Sequence, residues 1–305
     1  MTENIQTIFE DNIKLLGDMN KAVYYFREQQ FDKALILLAN SIDQVKYVIE
    51  SIVENREYFN LVDTKSMLEM TTGLLEAKKN RDFILIADLV ELQLINFLTS
   101  VQELIISKEE IIFDEEKYKE NIHLLIENGI GFEQKLIQTI DTAELLASGY
   151  RVEFSSCGLM TLAARNEESK FYFHTNCQVQ LEAFILAKNW YQKDRKNYVI
   201  YGFGLGYHIA QLCQLAPEAQ IEVYEADKNV LQLACAFTEV GELLTNPKIK
   251  LIYDPDLELL QKRILKIGTE EVLHVHYPSY KNIRAESEKD IIDAVYPWPK
   301  AIEAC

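Results

Sequence analysis

The stretch YVIYGFGLGYHIAQL, residues 198–212, decides the fold of this chain. An apolar run ends at three glycines, Gly202, Gly204 and Gly206, and a run with helical spacing follows them directly. Glycines at such a turn let the backbone adopt positive φ and let a ligand approach closely. They also let a strand and a helix pack tightly. The pattern therefore predicts a strand–turn–helix unit and leaves open whether the turn holds a ligand.

Strand and helix patterns alternate through the rest of the chain. The apolar strands QIEVYEA (220–226), KIKLIYD (248–254) and EVLHVHYP (271–278) are separated by amphipathic helical segments. Such alternation requires right-handed crossovers and a parallel sheet covered on both faces. We therefore predict a Rossmann-like α/β domain over residues 198–305.

The first half of the chain has helical periodicity instead. Apolar residues recur at spacings of three and four, and the first proline is Pro217. Short connections between amphipathic helices are typical of an antiparallel bundle. We predict an all-α helical bundle over residues 1–145, with helices at 3–28, 30–58, 62–79, 83–108, 114–127 and 133–147.

A third pattern lies between these two regions. The segments RVEFS, LMTLAAR and KFYFH, within residues 151–174, have the alternation of short strands separated by turns. A helical segment follows over 176–192, with Asn176 as its expected N-cap. Residues 146–197 are therefore predicted to form a small β meander and a connecting helix.

Charge and cysteine content limit the classes of partner and compartment. The net charge is −17, and such an acidic surface repels phosphate backbones, so no nucleic-acid partner is expected. The five cysteines have no regular spacing, and the amino terminus lacks the basic start and apolar core of a signal peptide. We expect reduced thiols and a cytoplasmic protein.

No membrane span is expected. The most apolar segment, residues 82–106, is interrupted by acidic residues and falls short of about 18 uninterrupted apolar residues. We interpret it as a buried helix of the bundle.

The glycine turn has the spacing GxGxG, because Tyr207 occupies the third place of the dinucleotide motif GxGxxG. Rossmann-like methyltransferases use this spacing for S-adenosylmethionine. An acidic residue at the end of the next strand is placed to accept hydrogen bonds from ribose hydroxyls, and a third strand end often contacts adenine or ribose. The sequence predicts S-adenosylmethionine or a nucleotide as cofactor, with these binding residues: Gly202, Gly204, Gly206, Tyr207, Glu225 and Asp254.

A purely structural explanation of the same residues stays open. The glycines relieve crowding between strand and helix, and Glu225 caps the helix that begins near Asp227. The catalytic residues are not identified by sequence. His274 and His276 share one face of a strand and are weak candidates for a general base. Together with His208 they could also form a metal site. A hydrogen-bonded structural role is favoured over a general base for His276, and no metal is predicted.

Several segments in order resemble the amino-terminal region of the motility accessory factor glycosyltransferases, bacterial proteins linked to glycosylation of flagellin with sialic-acid-like sugars. The matching segments are FYFHTN, the run from Gly202 to His208, the EAD of Glu225 to Asp227, and the HYPS of His276 to Ser279. The resemblance covers roughly residues 150–285.

The chain departs from that family in lacking its sugar-transfer domain, since it ends soon after this region. The resemblance therefore implies an accessory protein, or a fragment of a longer protein, acting in flagellin or surface glycosylation. The apolar end around Trp298 suggests that a covering element is missing. The amino-terminal bundle has no counterpart that we can match.

Three functions remain open from sequence. The first is a nucleotide-cofactor-binding or accessory protein of that glycosylation system. The second is an S-adenosylmethionine-dependent methyltransferase. The third is a non-catalytic scaffold with a vestigial glycine motif that binds a protein partner through the bundle. Enzymatic activity is thus undecided, and a transferase is expected if there is any; the oligomeric state is not predicted.

Overall fold

The computed structural model describes residues 2–63, 65–109, 113–132, 142–165 and 170–284. Packing divides the chain into two units. The first comprises residues 1–112, 154–159 and 176–181, and the second comprises residues 113–153, 160–175 and 182–305. Each unit is described by itself.

The first unit is built from helices, as predicted. Its first three are α1 (Glu3–Arg27), α2 (Phe31–Glu54) and α3 (Lys65–Asn80). Its interior includes Leu15, Leu16 and Met19 of α1, which are fully buried, whereas Ile42 and Val53 of α2 are exposed. Buried amphipathic stripes of this kind supply most of the stability of such helices.

The last helix of this unit is continuous but not uniform. It consists of α4 (Phe83–Leu89), a π-helical turn (Val90–Leu94) and α5 (Ile95–Lys108), and the Asp82 side chain caps it by accepting from the Leu85 N–H at 2.9 Å. By length and composition alone the combined helix could cross a membrane, since an 18-residue window within it has a mean hydropathy of 1.7. Core helices of soluble proteins pass the same test, so the expectation of no membrane span stays a prediction.

The second unit begins with two helices and the meander. These elements are α6 (Glu115–Asn128), α7 (Thr142–Ala147), β1 (Arg151–Phe154), β2 (Met160–Arg165) and β3 (Lys170–Tyr172). The strand order is β1-β2-β3, and β2 pairs with β3 in antiparallel fashion, which confirms the predicted meander. Of the predicted helix 133–147, residues 133–141 lie outside the described residues.

Helix α6 packs on the α/β layer of this unit. It contacts α10 (Lys228–Phe237) and α11 (Gly241–Thr245). The buried side chain of Asn121 donates from Nδ2 to the carbonyl oxygen of Cys235 at 2.8 Å, which satisfies two polar groups in an apolar interface. The domain boundaries predicted at residues 145 and 197 stay predictions.

The predicted parallel sheet is present. Its strands are β4 (Asn197–Tyr201), β5 (Gln220–Glu225), β6 (Ile249–Tyr253) and β7 (Glu271–Val275). The remaining helices are α8 (Val179–Trp190), α9 (Tyr207–Leu215), α12 (Glu258–Ile264) and α13 (Tyr277–Arg284). Along β4, Tyr198 and Ile200 face one apolar cluster and Val199 and Tyr201 face another, so both faces of the sheet are covered.

The order of the strands creates a switch point. In space the order is β6-β5-β4-β7, and all neighbouring strands are parallel. The chain therefore builds outward on one side of β4 and then returns to place β7 on the other side. In sheets of this type, ligands bind outside the carboxyl ends of the strands at such a point. The fold class is confirmed: a helical region, a β meander and a Rossmann-like parallel sheet. The segment around Trp298 lies outside the described residues.

Candidate functional site at the switch point of the sheet

The glycine turn follows β4 at the switch point, where the sequence predicts it. Gly202, Gly204 and Gly206 all have positive φ, at 98°, 53° and 83°. Gly206 is the N-cap residue of α9. Residues 202–206 are all buried, so the turn is covered by other parts of the protein.

The covering groups come close to the glycine Cα atoms. A methyl group added at Gly202 would lie 2.6 Å from the Ser279 side chain and 2.8 Å from Cβ of His276. At Gly204 it would lie 3.0 Å from Nε2 of His174. These spacings leave no room for a side chain, which explains the glycines by packing.

Glu225 ends β5 beside this turn, and its carboxylate is bound by backbone. Oε2 accepts from the N–H of Phe203 at 2.8 Å, and Oε1 accepts from the N–H groups of Ala226 at 2.9 Å and Asp227 at 3.0 Å. The side chain is 1% exposed. Burial raises the pKa of this carboxyl to about 7, although the three N–H groups oppose the shift.

The other two predicted binding residues also have partners within the protein. Asp254 is buried after β6, and its Oδ2 accepts from the N–H of Leu260 in α12 at 2.8 Å. Tyr207 is half-buried, and its hydroxyl donates to the carbonyl oxygen of Met160 in the meander at 2.9 Å. The structure thus brings the glycines and Glu225 together, and cofactor binding by the six residues stays a prediction.

Three histidines meet directly beside the glycine turn. His174 follows β3, His208 lies in the first turn of α9, and His276 follows β7. Their candidate ligand atoms all lie within 4.8 Å of one another. The ring centroids of His208 and His276 are 4.4 Å apart with an interplanar angle of 8°, and those of His174 and His276 are 5.1 Å apart.

Each of these rings has an identified polar neighbour. The Nε2 of His208 lies 3.1 Å from the carbonyl oxygen of Gly202. The Nδ1 of His276 lies 2.8 Å from Oγ of Ser279. The Nε2 of His174 accepts from the N–H of Leu205 at 3.2 Å. The three rings therefore hold the glycine turn, α9 and the end of β7 in fixed positions.

Burial keeps two of these imidazoles neutral. It lowers the pKa of His208 to about 3, with a smaller effect from His174 and an opposing effect of the Gly202 carbonyl. It also lowers the pKa of His276 well below the usual value, together with the neighbouring histidines. Neutral imidazoles cannot attract an anion, but they have the protonation state that metal binding requires.

His274, the other weak catalytic candidate, is not in this cluster. Its ring lies parallel to Trp190 with centroids 5.1 Å apart, and its Nε2 lies 3.1 Å from the Trp190 carbonyl oxygen. Burial lowers its pKa to about 4. In the described structure it is a hydrogen-bonded core histidine, whereas His276 faces the glycine turn.

Sequence reasoning did not assign a site role to His174. It lies in the segment FYFHTN, which was compared with a known family but not combined with His208 and His276. Its position directly after a short strand was the available signal. The position of His174 after β3 points to a site only when the structure shows that the meander lies beside the carboxyl ends of the parallel strands.

A separate open groove lies at the opposite edge of the sheet. It has a volume of about 530 Å³ and is lined by residues at the amino ends of the strands, among them Asn197, Gln220 and Glu271. The predicted cofactor residues do not line it. Ligands of open α/β sheets bind at the other edge, so we assign no function to this groove.

No protein-family model, curated protein or solved structure matches this chain. The structure shows the coarse architecture alone, a helical region followed by a Rossmann-like parallel sheet.

Proposed function

We propose that this chain is an accessory protein that transfers no chemical group by itself and acts with a protein partner in the glycosylation of flagellin or another surface structure. We infer the process, glycosylation, from the resemblance of residues 150–285 to the motility accessory factors. The lack of transfer chemistry is argued from the glycine turn. The helical unit is the proposed partner-binding part, and it exposes large apolar side chains at Ile36, Leu75, Ile84 and Leu92.

One observation carries the non-catalytic part of the proposal. Both oxygens of the Glu225 carboxylate are engaged by the backbone, including the N–H of Phe203 in the glycine turn itself. A cofactor ribose would also have to reach this carboxylate, which is 1% exposed. Glu225 instead fixes the turn to the end of β5, as a structural residue would.

S-adenosylmethionine-dependent methyl transfer is the second candidate. The GxGxG spacing at the carboxyl end of β4, beside the switch point, favours it. For this activity Glu225 would have to exchange the Phe203 N–H for a ribose hydroxyl, and the covering side chains would have to move from the turn.

A genetic and biochemical experiment separates the two functions. The gene is deleted in cells that carry it, and the intact mass of flagellin is measured. We expect a lower glycan mass, restored equally by the wild-type gene and by a folded Glu225→Gln variant, because no cofactor has to be bound there. Unchanged flagellin in the deletion strain contradicts the role in glycosylation.

The purified chain is tested in parallel for transfer. It is mixed with flagellin from the deletion strain and either a nucleotide-activated sialic acid or S-adenosylmethionine, and products are detected by mass spectrometry. We expect no added sugar and no added methyl group. Sugar transfer by the chain alone contradicts the accessory role, and methyl transfer that is lost in Glu225→Gln establishes the second candidate instead.

A further inference from the structure

We propose that His174, His208 and His276 form a binding site for one divalent transition-metal ion of the zinc type, with a structural role in the α/β unit. The three side chains come from three separate segments: the end of the meander, the first turn of α9 and the end of β7. An ion held by all three would link these segments beside the glycine turn. The inference does not depend on the proposed glycosylation role.

The donor set fits this class of metal. Imidazole nitrogens are ligands for zinc, cobalt and nickel, and three histidines are a known zinc ligand set. The three side chains are 1%, 0% and 1% exposed.

Unsatisfied nitrogen atoms are the second observation. Among the described residues, Nδ1 of His174, Nδ1 of His208 and Nε2 of His276 are buried and have no hydrogen-bond partner. A buried polar atom without a partner costs about 1–3 kcal/mol. A bound ion would satisfy Nδ1 of His208 and Nε2 of His276. The neutral ring of His174 carries its proton on Nδ1, because its Nε2 accepts from the Leu205 N–H, so His174 would bind an ion through Nε2 in place of that N–H.

The polar neighbours of the rings have the arrangement that supports metal ligands. The Nε2–H of His208 can donate to the Gly202 carbonyl oxygen, which leaves the lone pair of Nδ1 for an ion. The Nδ1–H of His276 can donate to Ser279 Oγ in the same way and leave Nε2. A carboxylate oxygen of Glu182 lies 3.8 Å from Nδ1 of His174, where it can orient that ring.

Metal binding makes a geometric demand on the rings. Zinc–nitrogen bonds are about 2.0–2.1 Å long, which places two tetrahedral ligand atoms about 3.3 Å apart, so ligand atoms up to 4.8 Å apart must approach one another by up to about 1.5 Å. The nearly parallel rings of His208 and His276 cannot both aim a lone pair at one point, so one ring must turn about its χ2 bond. The ring that turns would give up its hydrogen bond to the Gly202 carbonyl oxygen or to Ser279 Oγ, and the other ring would keep its own.

The experiment measures metal content directly. The full chain, freed of any histidine tag, is equilibrated with Zn²⁺, passed through a desalting column and analysed by mass spectrometry for metals. We expect about one zinc per chain. His208→Gln and His276→Gln should each reduce bound zinc to the level of a protein blank.

Two other histidines provide matched controls. His123 is exposed on α6, and His274 is buried outside the cluster. His123→Gln and His274→Gln should keep the zinc content of the wild type. If the wild type binds no zinc above the blank, or if the cluster variants bind as much as the controls, the site is refuted.

A stability measurement on the unmodified chain covers the case in which a cluster variant does not fold. Zn²⁺ at about 100 times its Kd should raise the Tm of the wild type by at least about 3 °C, and a chelator should reverse the rise. Cobalt should give visible absorption bands typical of nitrogen-coordinated tetrahedral or five-coordinate ions. A Tm that zinc leaves unchanged contradicts the proposal, even if flagellin glycosylation depends on this chain.

Discussion

The N–H of Phe203 donates to Oε2 of Glu225 at 2.8 Å, which ties the glycine turn after β4 to the end of β5. The two residues are 22 positions apart in sequence; Phe203 follows β4, and Glu225 ends the neighbouring parallel strand β5. The carboxylate is 1% exposed at this hydrogen bond, so a cofactor ribose cannot reach it in this conformation. The contact with Phe203 explains why an acidic residue stands at position 225, and no ligand is needed for this explanation.

Glu225 should give the stability of the protein a specific pH dependence. Its pKa is raised from 4.5 to about 7, so the folded state binds this proton more tightly than the unfolded state. The resulting stabilisation is complete below about pH 4.5 and is lost as the pH rises through 7, with an upper limit of about 3 kcal/mol. Urea unfolding at pH 5, 6, 7 and 8 measures it.

The variant Glu225→Gln should be less stable than the wild type at pH 5 and should show a flatter profile from pH 5 to 8, because the titrating group is gone. Glu218→Gln is the control, since that side chain is 90% exposed. A slope in Glu225→Gln as steep as in the wild type assigns the pH dependence to another group.

Gly204→Ala should destabilise the α/β unit by about 2 kcal/mol or more, because its φ of 53° is unfavourable for alanine and the new methyl group meets His174 and His276 at 3.0 and 3.1 Å. Gly268→Ala is the matched control, since its nearest neighbour is 3.7 Å away at a flexible carboxylate. Thermal unfolding of both variants gives the comparison. Equal stability of the two would show that the turn is not packed as described.

The broad architecture could be predicted from sequence because it depends on local periodicity. The helical stripes, the alternation of the meander and the strand–helix repeats after Tyr198 each predict an element, and these predictions are confirmed. The order of the parallel strands, β6-β5-β4-β7, was not predicted, because periodicity and the handedness of crossovers do not specify it. Periodicity does not specify which surface receives a given helix, so the packing of α6 on α10 and α11 could not be predicted.

The side-chain contacts at the switch point were harder to predict from sequence than the fold. The sequence indicates that Gly202 and Glu225 meet, but the direction of a carboxylate depends on which backbone N–H groups are near it. The cluster of His174, His208 and His276 joins residues up to 102 positions apart, and the nearest two are 34 apart in sequence. No local pattern encodes such a contact. His274, which does share a strand pattern with His276, packs on Trp190 instead.

Arg263 should contribute to stability through two carboxylates. Its Nε donates to Glu222 of β5 at 2.7 Å, and its two terminal nitrogens donate to Glu271 of β7 at 2.6 and 3.1 Å. Arg263→Gln should cost about 1–2 kcal/mol at pH 7, because these charge-assisted bonds are partly shielded from water. Lys262→Gln, which removes an exposed pair with Glu258, should cost less than about 0.5 kcal/mol.

The contribution of Arg263 to the free energy of unfolding should decrease at acidic pH. Arg263 lowers the pKa of Glu271 to about 2, so the contribution of this pair is present above about pH 4.5 and is lost as the pH falls through 2. Urea unfolding at pH 7 and at pH 3 gives the two values. An equal effect of Arg263→Gln and Lys262→Gln at pH 7 contradicts the assigned role.

Tyr150→Phe should destabilise the second unit by about 1–2 kcal/mol, because the hydroxyl donates to Oδ2 of Asp227 at 2.5 Å in a buried position. Burial and the Asp227 charge raise the pKa of this tyrosine, so it stays a donor at every accessible pH. Tyr172→Phe removes a hydroxyl bonded to Glu153 on the half-buried side of the meander and should cost less. Equal losses in chemical denaturation would show that the Asp227 contact adds no stability.

Ligand binding at the glycine turn tests the central claim most directly. The Tm of the wild type is measured with S-adenosylmethionine, S-adenosylhomocysteine, nucleotides and nucleotide-sugars at increasing concentrations, since a ligand at 100 times its Kd adds about 2.7 kcal/mol of stability. A turn closed by its own side chains and by Glu225 predicts no change in Tm up to millimolar concentrations of each compound. A saturable rise with any of them that Glu225→Gln abolishes would contradict the claim and establish a cofactor pocket.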